Sequence, residues 1–352
     1  MRRILLTVSG VVAADITERI ADGMRPRADY LELARTLNAD LLDYAQARRS
    51  SGWGGRLLER IGGTNLLLAW ICFQQRKCYD IIFTDGEQVG MLFALLCKFY
   101  GLWSKHRPRH VMIAHILSVK KKMLFFDIFK IQSHIDLFFV YSTWQKHFIE
   151  QRWKIPPERV VFTPFMVDTH FFAPDQVNAY IPPQPHICSV GLEARDYPTL
   201  LQAVHGLDLQ VIIAAASPWS KRSDTTQGEM IPENVRVSRF SQFELRQLYA
   251  DCQFMVMPLY NVNFQAGVTA ILEAMAMSRA VICSQTPGQT DVIIHGETGL
   301  YVPPGDPQAL RIAIEYLLAH PEEAARMGRA GRRRIEQMMS LDCYTERLSS
   351  YV

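Results

Sequence analysis

The sequence predicts an α/β protein of two domains, each a parallel sheet covered by helices. Three observations carry that expectation. Short apolar runs closed by small or polar residues alternate with helical patterns through both halves, as buried parallel strands joined by helical crossovers do. The chain of 352 residues is too long for one ordinary core and suits two cores of roughly 150 to 180 residues each. The stretch 173–185 contains Pro174, Pro182, Pro183 and Pro185 and has neither a strand nor a helix period, so it reads as a linker. The expected division is 1–175 and 186–335, with 336–352 a terminal helix packing back on the first domain. Two such domains invite a cleft.

Element by element, Ile4-Leu5-Leu6-Thr7-Val8 running into Ser9-Gly10 reads as a first buried strand ending in a glycine turn. Further strands are expected at 39–42, 80–84, 110–114 and 137–141, with helices at 30–37, 89–98 and 143–150. The second half predicts strands at 186–190, 209–214, 235–237, 254–257 and 280–283. Helices are expected at 197–205, 243–250, 268–278 and 307–319. Residues 322–352 read as one or two amphipathic helices, with Arg326, Arg329, Arg332, Arg333 and Arg334 on a solvated face.

Composition narrows the function. Apolar residues at 49% and charged residues at 21% describe a globular chain able to fold without a partner. A net charge of +3 is too small for a nucleic-acid footprint, so no nucleic-acid partner is expected. The seven cysteines form no C-x-x-C pair and have no zinc-like histidine spacing, so they read as reduced, mostly buried thiols. The two arginines and short apolar run at the start lack the length and cleavage site of a signal peptide, and no stretch is long and apolar enough to span a bilayer. A cytoplasmic location is the default expectation.

Three segments carry chemistry. Between Pro258 and Arg279, Glu273 is the only charged residue, set in an apolar helix where a carboxylate is costly unless satisfied. It could accept from the vicinal hydroxyls of a ribose, with Gly267 ahead of the helix admitting a phosphate to free backbone N–H groups. Equally, Gly267 is a helix-start glycine and Glu273 pairs with an arginine. In the second segment, 189–200, Gly191 follows a strand and Arg195 precedes a helix, where open α/β sheets bind ligands. Arg195 could clamp a diphosphate. Taken alone, it reads more readily as an exposed partner of Asp196. The third segment, 286–306, is turn-rich and reads as loop punctuation.

In this order the three segments resemble the C-terminal domain of the family 4 retaining glycosyltransferases of GT-B fold, the glycosyl transferases group 1. The resemblance rests on Val190-Gly191 with Arg195-Asp196-Tyr197, on Leu272-Glu273-Ala274-Met275-Ala276, and on Gly296 and Gly299-Leu300 with Pro304-Gly305-Asp306. It covers residues 136 to 335 well and the first 135 loosely. In the N-terminal half it includes His115, Tyr141-Ser142, and 161–168 followed by Phe171-Phe172-Ala173-Pro174.

The resemblance implies two Rossmann-like domains facing each other across a cleft, the first on the acceptor side. It also implies a hexosyltransferase-like enzyme that uses a nucleoside-diphosphate sugar as substrate, with no cofactor and no metal; the absence of any D-x-D agrees. Retention follows from front-face attack, in which the donor phosphate helps take the acceptor proton. Gly191, Arg195, Lys221, Gly267 and Val268 are implied at the diphosphate, with Arg222 a weaker candidate. Glu273 is implied at the ribose, Phe264, Gln265 and Ala266 at the sugar, and His115 and Gln265 at the reacting centre. The family places two glutamates eight positions apart, and here the first position is Gln265, which keeps hydrogen bonding without charge. The family's arginine after the strand glycine is replaced by Leu192.

The acceptor is expected to be a glycan, a lipid-linked acceptor or a small molecule. Residues 98–130 interleave Lys98, Lys105, Arg107, Arg109, Lys120, Lys121, Lys122 and Lys130 with six aromatics, which suits peripheral contact with an anionic membrane surface. The preferred reading is a core helix with Leu124, Phe125, Ile128 and Phe129 inward and the lysines outward. Alternatives to the transferase are a GT-B nucleotide-sugar epimerase or phosphorylase and a weakly active or non-catalytic nucleotide-binding subunit, the last kept open by Gln265.

Overall fold

A computed structural model describes residues 2–100, 107–178, 180, 184–215 and 230–352. Chain contacts divide it into two units: Met1–Glu18, Arg27–Thr163 and Thr345–Val352 form the first, Arg19–Pro26 and Pro164–Tyr344 the second.

The first unit carries strands β1 (Ile4–Val8), β2 (Asp40–Asp43), β3 (Ile81–Thr84), β4 (Arg109–Ala114), β5 (Leu137–Val140) and β6 (Val160–Phe162). They form one parallel sheet in the order β2-β1-β3-β4-β5-β6. Its helices include α1 (Asp29–Leu37), α2 (Tyr44–Ser50), α3 (Trp53–Gln75), α4 (Glu87–Tyr100), α5 (Lys120–Asp127) and α6 (Thr143–Trp153). All five residues of β1 are buried, as a strand covered by helices on both faces requires. Leu5 and Ile82 pack with Leu67, Leu68, Ile71 and Phe93, whereas Met112, Phe138 and Val140 pack with Phe126 and Trp153.

The second unit repeats the plan with β7 (His186–Val190), β8 (Gln210–Ala214), β9 (Val235–Ser238), β10 (Phe254–Met257), β11 (Ala280–Ser284) and β12 (Gly299–Val302), parallel and ordered β12-β11-β10-β7-β8-β9. Helices α7 (Tyr197–Val204), α8 (Gln242–Asp251), α9 (Val268–Ala276), α10 (Pro307–Ala319) and α11 (Pro321–Arg334) belong to it. Alternation along the strands feeds two cores. Cys188, Val190, Met255, Met257, Val281 and Cys283 face one; Ile187, Val211, Ile213, Phe254, Val256 and Ile282 face the other. Helix α12 (Leu341–Ser349) ends the chain.

Several expectations change. The division lies at Thr163/Pro164, upstream of the proline-rich stretch, because Val167 N–H donates to Met339 O, Leu341 N–H donates to Val167 O, and Phe171 and Phe172 join the second core. In the last turns of the chain, Arg347 donates to Thr163 Oγ1 at 3.1 Å and Tyr351 stands edge-on to Phe139. Strand β6 is only three residues long, and β12 falls in the segment read as loop punctuation. Helix α3 was hidden by its glycines and bends at Gly63, where φ is 76°.

Helix α5 corrects the reading of 98–130. Leu124, Ile128 and Phe129 are exposed, and Phe126 is the residue fully buried. Lys122 turns inward, its Nζ donating to Glu87 Oε1 and to the Ile116 carbonyl. The cysteines are free; five are buried, Cys343 is half-buried and Cys78 is exposed.

Candidate functional site

In the second sheet the strand order reverses between β7 and β10, and the carboxyl ends at such a topological switch point are where open α/β sheets bind ligands. Gly191 follows β7 with φ 103°, and its N–H donates to Ala214 O at 3.0 Å. Gly267 precedes α9 with φ 74°. Both conformations favour glycine.

Arg195 occupies the space that the two glycines leave. Its Nε donates to Val190 O at 2.9 Å and its Nη1 to Glu193 O at 2.7 Å. A Cβ on Gly191 would lie 2.3 Å from Arg195 Nη2, and one on Gly267 would lie 3.2 Å from Arg195 Nη1 and 2.7 Å from Met257 Sδ. The guanidinium is thus held against both glycine turns, beside the first N–H groups of α9, which no side chain caps. The exposed pairing with Asp196 is corrected: Arg195 is 5% exposed, and Asp196 instead caps α7 by accepting from Thr199 N–H and Thr199 Oγ1. Burial lowers the guanidinium's pKa from its ordinary value. Val268, the first residue of α9, is buried.

Glu273 lies six residues into α9 and is 6% exposed. Its partner is a tyrosine where an arginine was one expectation: Tyr249 Oη donates to Glu273 Oε2 at 2.9 Å from α8. Burial pushes the Glu273 carboxyl up to about 7, and the Tyr249 hydrogen bond pulls the other way. A carboxylate has about four acceptor positions, so one phenol leaves capacity for vicinal hydroxyls.

The loop 264–266 supplies the other end. Ala266 N–H donates to Phe264 O at 2.8 Å, and the Gln289 amide donates to Ala266 O at 3.0 Å. Gly288 packs directly on the Phe264 backbone, where a Cβ would lie 2.3 Å from Phe264 O. Gln265 Oε1, Gln289 Oε1 and Thr286 Oγ1 are buried without a hydrogen-bond partner among the described residues. An open pocket of about 430 Å³ is lined by Asn261, Val262, Asn263, Phe264 and Pro287, the last two next in sequence to Gln265 and Thr286. Buried oxygens of this kind are costly unless a donor reaches them. Sequence reasoning missed Tyr249, Thr286 and Gln289. The run Thr286-Pro287-Gly288-Gln289, polar residues around a Pro-Gly turn just past a buried strand, was the available signal.

The structure therefore brings Gly191, Arg195, Gly267, Val268, Glu273, Phe264, Gln265 and Ala266 into one unit. His115 belongs to the other, just beyond β4: its backbone N–H donates to Glu87 Oε2 at 2.9 Å, and its Nε2 lies 3.0 Å from Asp85 O. Lys221 and Arg222 lie outside the described residues.

Comparison with known proteins follows this geometry. Residues 191–334 match the family Glycosyl transferases group 1 and contain every site residue of the second unit. The D-rhamnosyltransferase WbpZ of Pseudomonas aeruginosa is 35% identical over 147 residues, 40% of this chain and 37% of that protein. Human alpha-1,3/1,6-mannosyltransferase ALG2 is 40% identical over 113 residues, 32% of this chain and 26% of that protein. The matched stretch thus spans well under half the length of these relatives. Sucrose-phosphate synthase from Thermosynechococcus elongatus superposes with a TM-score of 0.74 at 18% identity, covering 100% of this chain and 98% of that one. Anabaena HepE in complex with UDP and glucose gives 0.69 at 12% identity, covering 100% and 99%. The chain thus has the GT-B fold of these structures over its length, and its residues 191–334 are similar to the group 1 glycosyl transferase domain.

Proposed function

We propose that the chain transfers a glycosyl group from a nucleoside-diphosphate sugar to a hydroxyl of a glycan, lipid-linked or small-molecule acceptor, with retention and without a metal. One observation carries the reading: the Arg195 guanidinium is fixed against Gly191 and Gly267 at the open amino end of α9, with Glu273 buried further along the same helix. A leaving diphosphate needs preorganised positive charge where its own charge grows, and a buried guanidinium beside helix N–H groups supplies it. Glu273 takes the ribose hydroxyls, and Gln265 Oε1 accepts from a hydroxyl of the donor sugar. In the transfer, the bond from the anomeric carbon to the phosphate oxygen breaks and a bond to the acceptor oxygen forms on the same face. The acceptor proton passes to the departing phosphate. His115 is assigned to the acceptor side.

The relatives' names support the class. WbpZ is a D-rhamnosyltransferase, CapM of Staphylococcus aureus a capsular polysaccharide biosynthesis glycosyltransferase, and HepE is seen with UDP and glucose. We place the protein in polysaccharide biosynthesis on the cytoplasmic side of a membrane. No described helix is long and apolar enough to cross one.

The test is a transfer assay over a panel of nucleoside-diphosphate sugars and glycan acceptors, with and without chelator, reading product anomeric configuration by NMR. The account expects a retained product, unaffected by chelator, and a loss of about 100-fold or more in kcat/KM for Arg195→Ala. Donor binding without transfer to any acceptor would favour the non-catalytic reading.

A further inference from the structure

Helix α3 opens with an amphipathic arm, 53–62, set off by the bend at Gly63. Its inner side is fixed. Glu59 accepts from Arg48 Nε at 2.8 Å and from Thr64 Oγ1 at 3.0 Å, and Gly55 packs so closely that a Cβ would lie 2.4 Å from Ser51 Cβ and 3.2 Å from Leu67. The outer side is not covered. Trp53 is 74% exposed, Leu57 47% and Ile61 74%. Residues at i, i+4 and i+8 share one face of a helix, so these three form a single apolar stripe about 12 Å long.

Arginine borders the stripe. Arg56 and Arg60 flank it on the same arm and Arg49 precedes it; all three are exposed and have no partner among the described residues. Between positions 48 and 61 there are four arginines and one glutamate, and that glutamate is already paired with Arg48. An exposed tryptophan with two aliphatic residues, edged by unpaired guanidinium groups, has the chemistry of the interface of an anionic bilayer: rings and aliphatic chains enter the headgroup boundary while cations meet phosphate.

We propose that this arm docks the protein onto anionic membrane surface, with Trp53, Leu57 and Ile61 inserted and Arg49, Arg56 and Arg60 on lipid phosphates. The excess of positive charge argues against a second copy of the same face as the occupant, because two such faces would repel. The inference stands independently of the donor site.

The experiment is sedimentation of the full chain with vesicles of phosphatidylcholine alone and of phosphatidylcholine with an equal part of phosphatidylglycerol. The account expects binding to the mixed vesicles that weakens with added salt and is much weaker on the neutral ones. Arg49→Glu with Arg56→Glu and Arg60→Glu should weaken it by about 100-fold. Trp53→Ser with Leu57→Ser and Ile61→Ser, a second route that keeps the charge, should also release the protein. Thermal unfolding like that of the parent chain confirms that both variants fold. Three results would overturn the proposal: no wild-type binding, undiminished binding by both variants, or loss confined to a Lys120→Ala, Lys121→Ala variant on α5. Concentration-dependent dimerisation abolished by the serine variant would also overturn it, in favour of a second copy.

Discussion

The carboxyl edges of the two sheets carry similar residues and treat them in opposite ways. At the first edge the carboxylates find their donors within the unit, although burial still raises the Asp85 pKa. Glu87, fully buried, accepts from Lys122 Nζ and from the His115 N–H, and Asp85 accepts from Thr7 Oγ1, Ser9 N–H and Ser9 Oγ. Burial pushes the Glu87 pKa up, but His115 and Lys122 more than offset that and hold it below the ordinary range. At the second edge Glu273 has a phenol for a partner and stays high, and Gln265 and Gln289 have side-chain oxygens without a partner among the described residues. The contrast is that Glu87, paired by a cation, is held ionised by the fold, whereas Glu273, with a phenol for its partner, keeps a raised pKa and spare acceptor positions.

The contrast breaks most sharply in stability. Lys122→Met leaves Glu87 buried without its cation and should cost about 3 kcal/mol at neutral pH, read as a shifted denaturant midpoint. Because the folded pKa of Glu87 lies below its unfolded value, its stabilising contribution is present above the unfolded pKa and is lost as pH falls through the folded one. The difference between wild type and variant should therefore shrink in acid. An unchanged midpoint at neutral pH would remove the distinction between the two edges.

Glu273→Gln should have the opposite sign. The carboxyl is raised from 4.5 to about 7, so its burden on the fold is absent below about pH 4.5, grows through that window and is complete above about 7. The amide should stabilise the unliganded protein by on the order of 2 to 3 kcal/mol at pH 8 and by little at pH 4. Thermal unfolding at the two pH values checks this, and a destabilised variant at pH 8 would contradict it.

The contrast also shows how far the sequence could be read. Gly191, Gly267 and Glu273 were legible because each is anomalous where it stands: a glycine after a strand, a glycine before a helix, a lone carboxylate in an apolar run. The identity of Glu273's partner was not, since Tyr249 lies 24 residues away on a neighbouring helix and only tertiary packing joins them. Arg195 stands between a strand and a helix as the sequence predicts, but it read alone as exposed, because sequence does not show that two glycines vacate the volume it fills. In the first unit the glycines at 52, 54, 55, 62 and 63 concealed a 23-residue helix, whose inner face accepts Gly55 as a close-packing position. Strand β12 was lost among turn residues because its burial depends on pairing with β11.

Smaller effects sharpen the second edge. Gly191→Ala should cost about 1 to 3 kcal/mol, from the positive φ and from displacing Arg195. Its diphosphate affinity should fall as well, a coupling that calorimetry can read against the melting temperature. Gln265→Ala should leave nucleoside-diphosphate affinity unchanged and weaken the matching nucleotide sugar by about 5- to 10-fold. Equal losses on both ligands would move Gln265 away from the sugar.

The central claim is that Glu273 is kept short of partners in order to hold a ribose. Calorimetric titration with a panel of nucleoside diphosphates, on wild type and Glu273→Ala at pH 8, tests it most directly. The account predicts that one or more of them binds the wild type and that the variant loses about 10- to 100-fold in affinity for the same ligand. Equal affinity in the two proteins would contradict the ribose assignment, and no binding of any nucleoside diphosphate to the wild type would contradict the donor site as a whole.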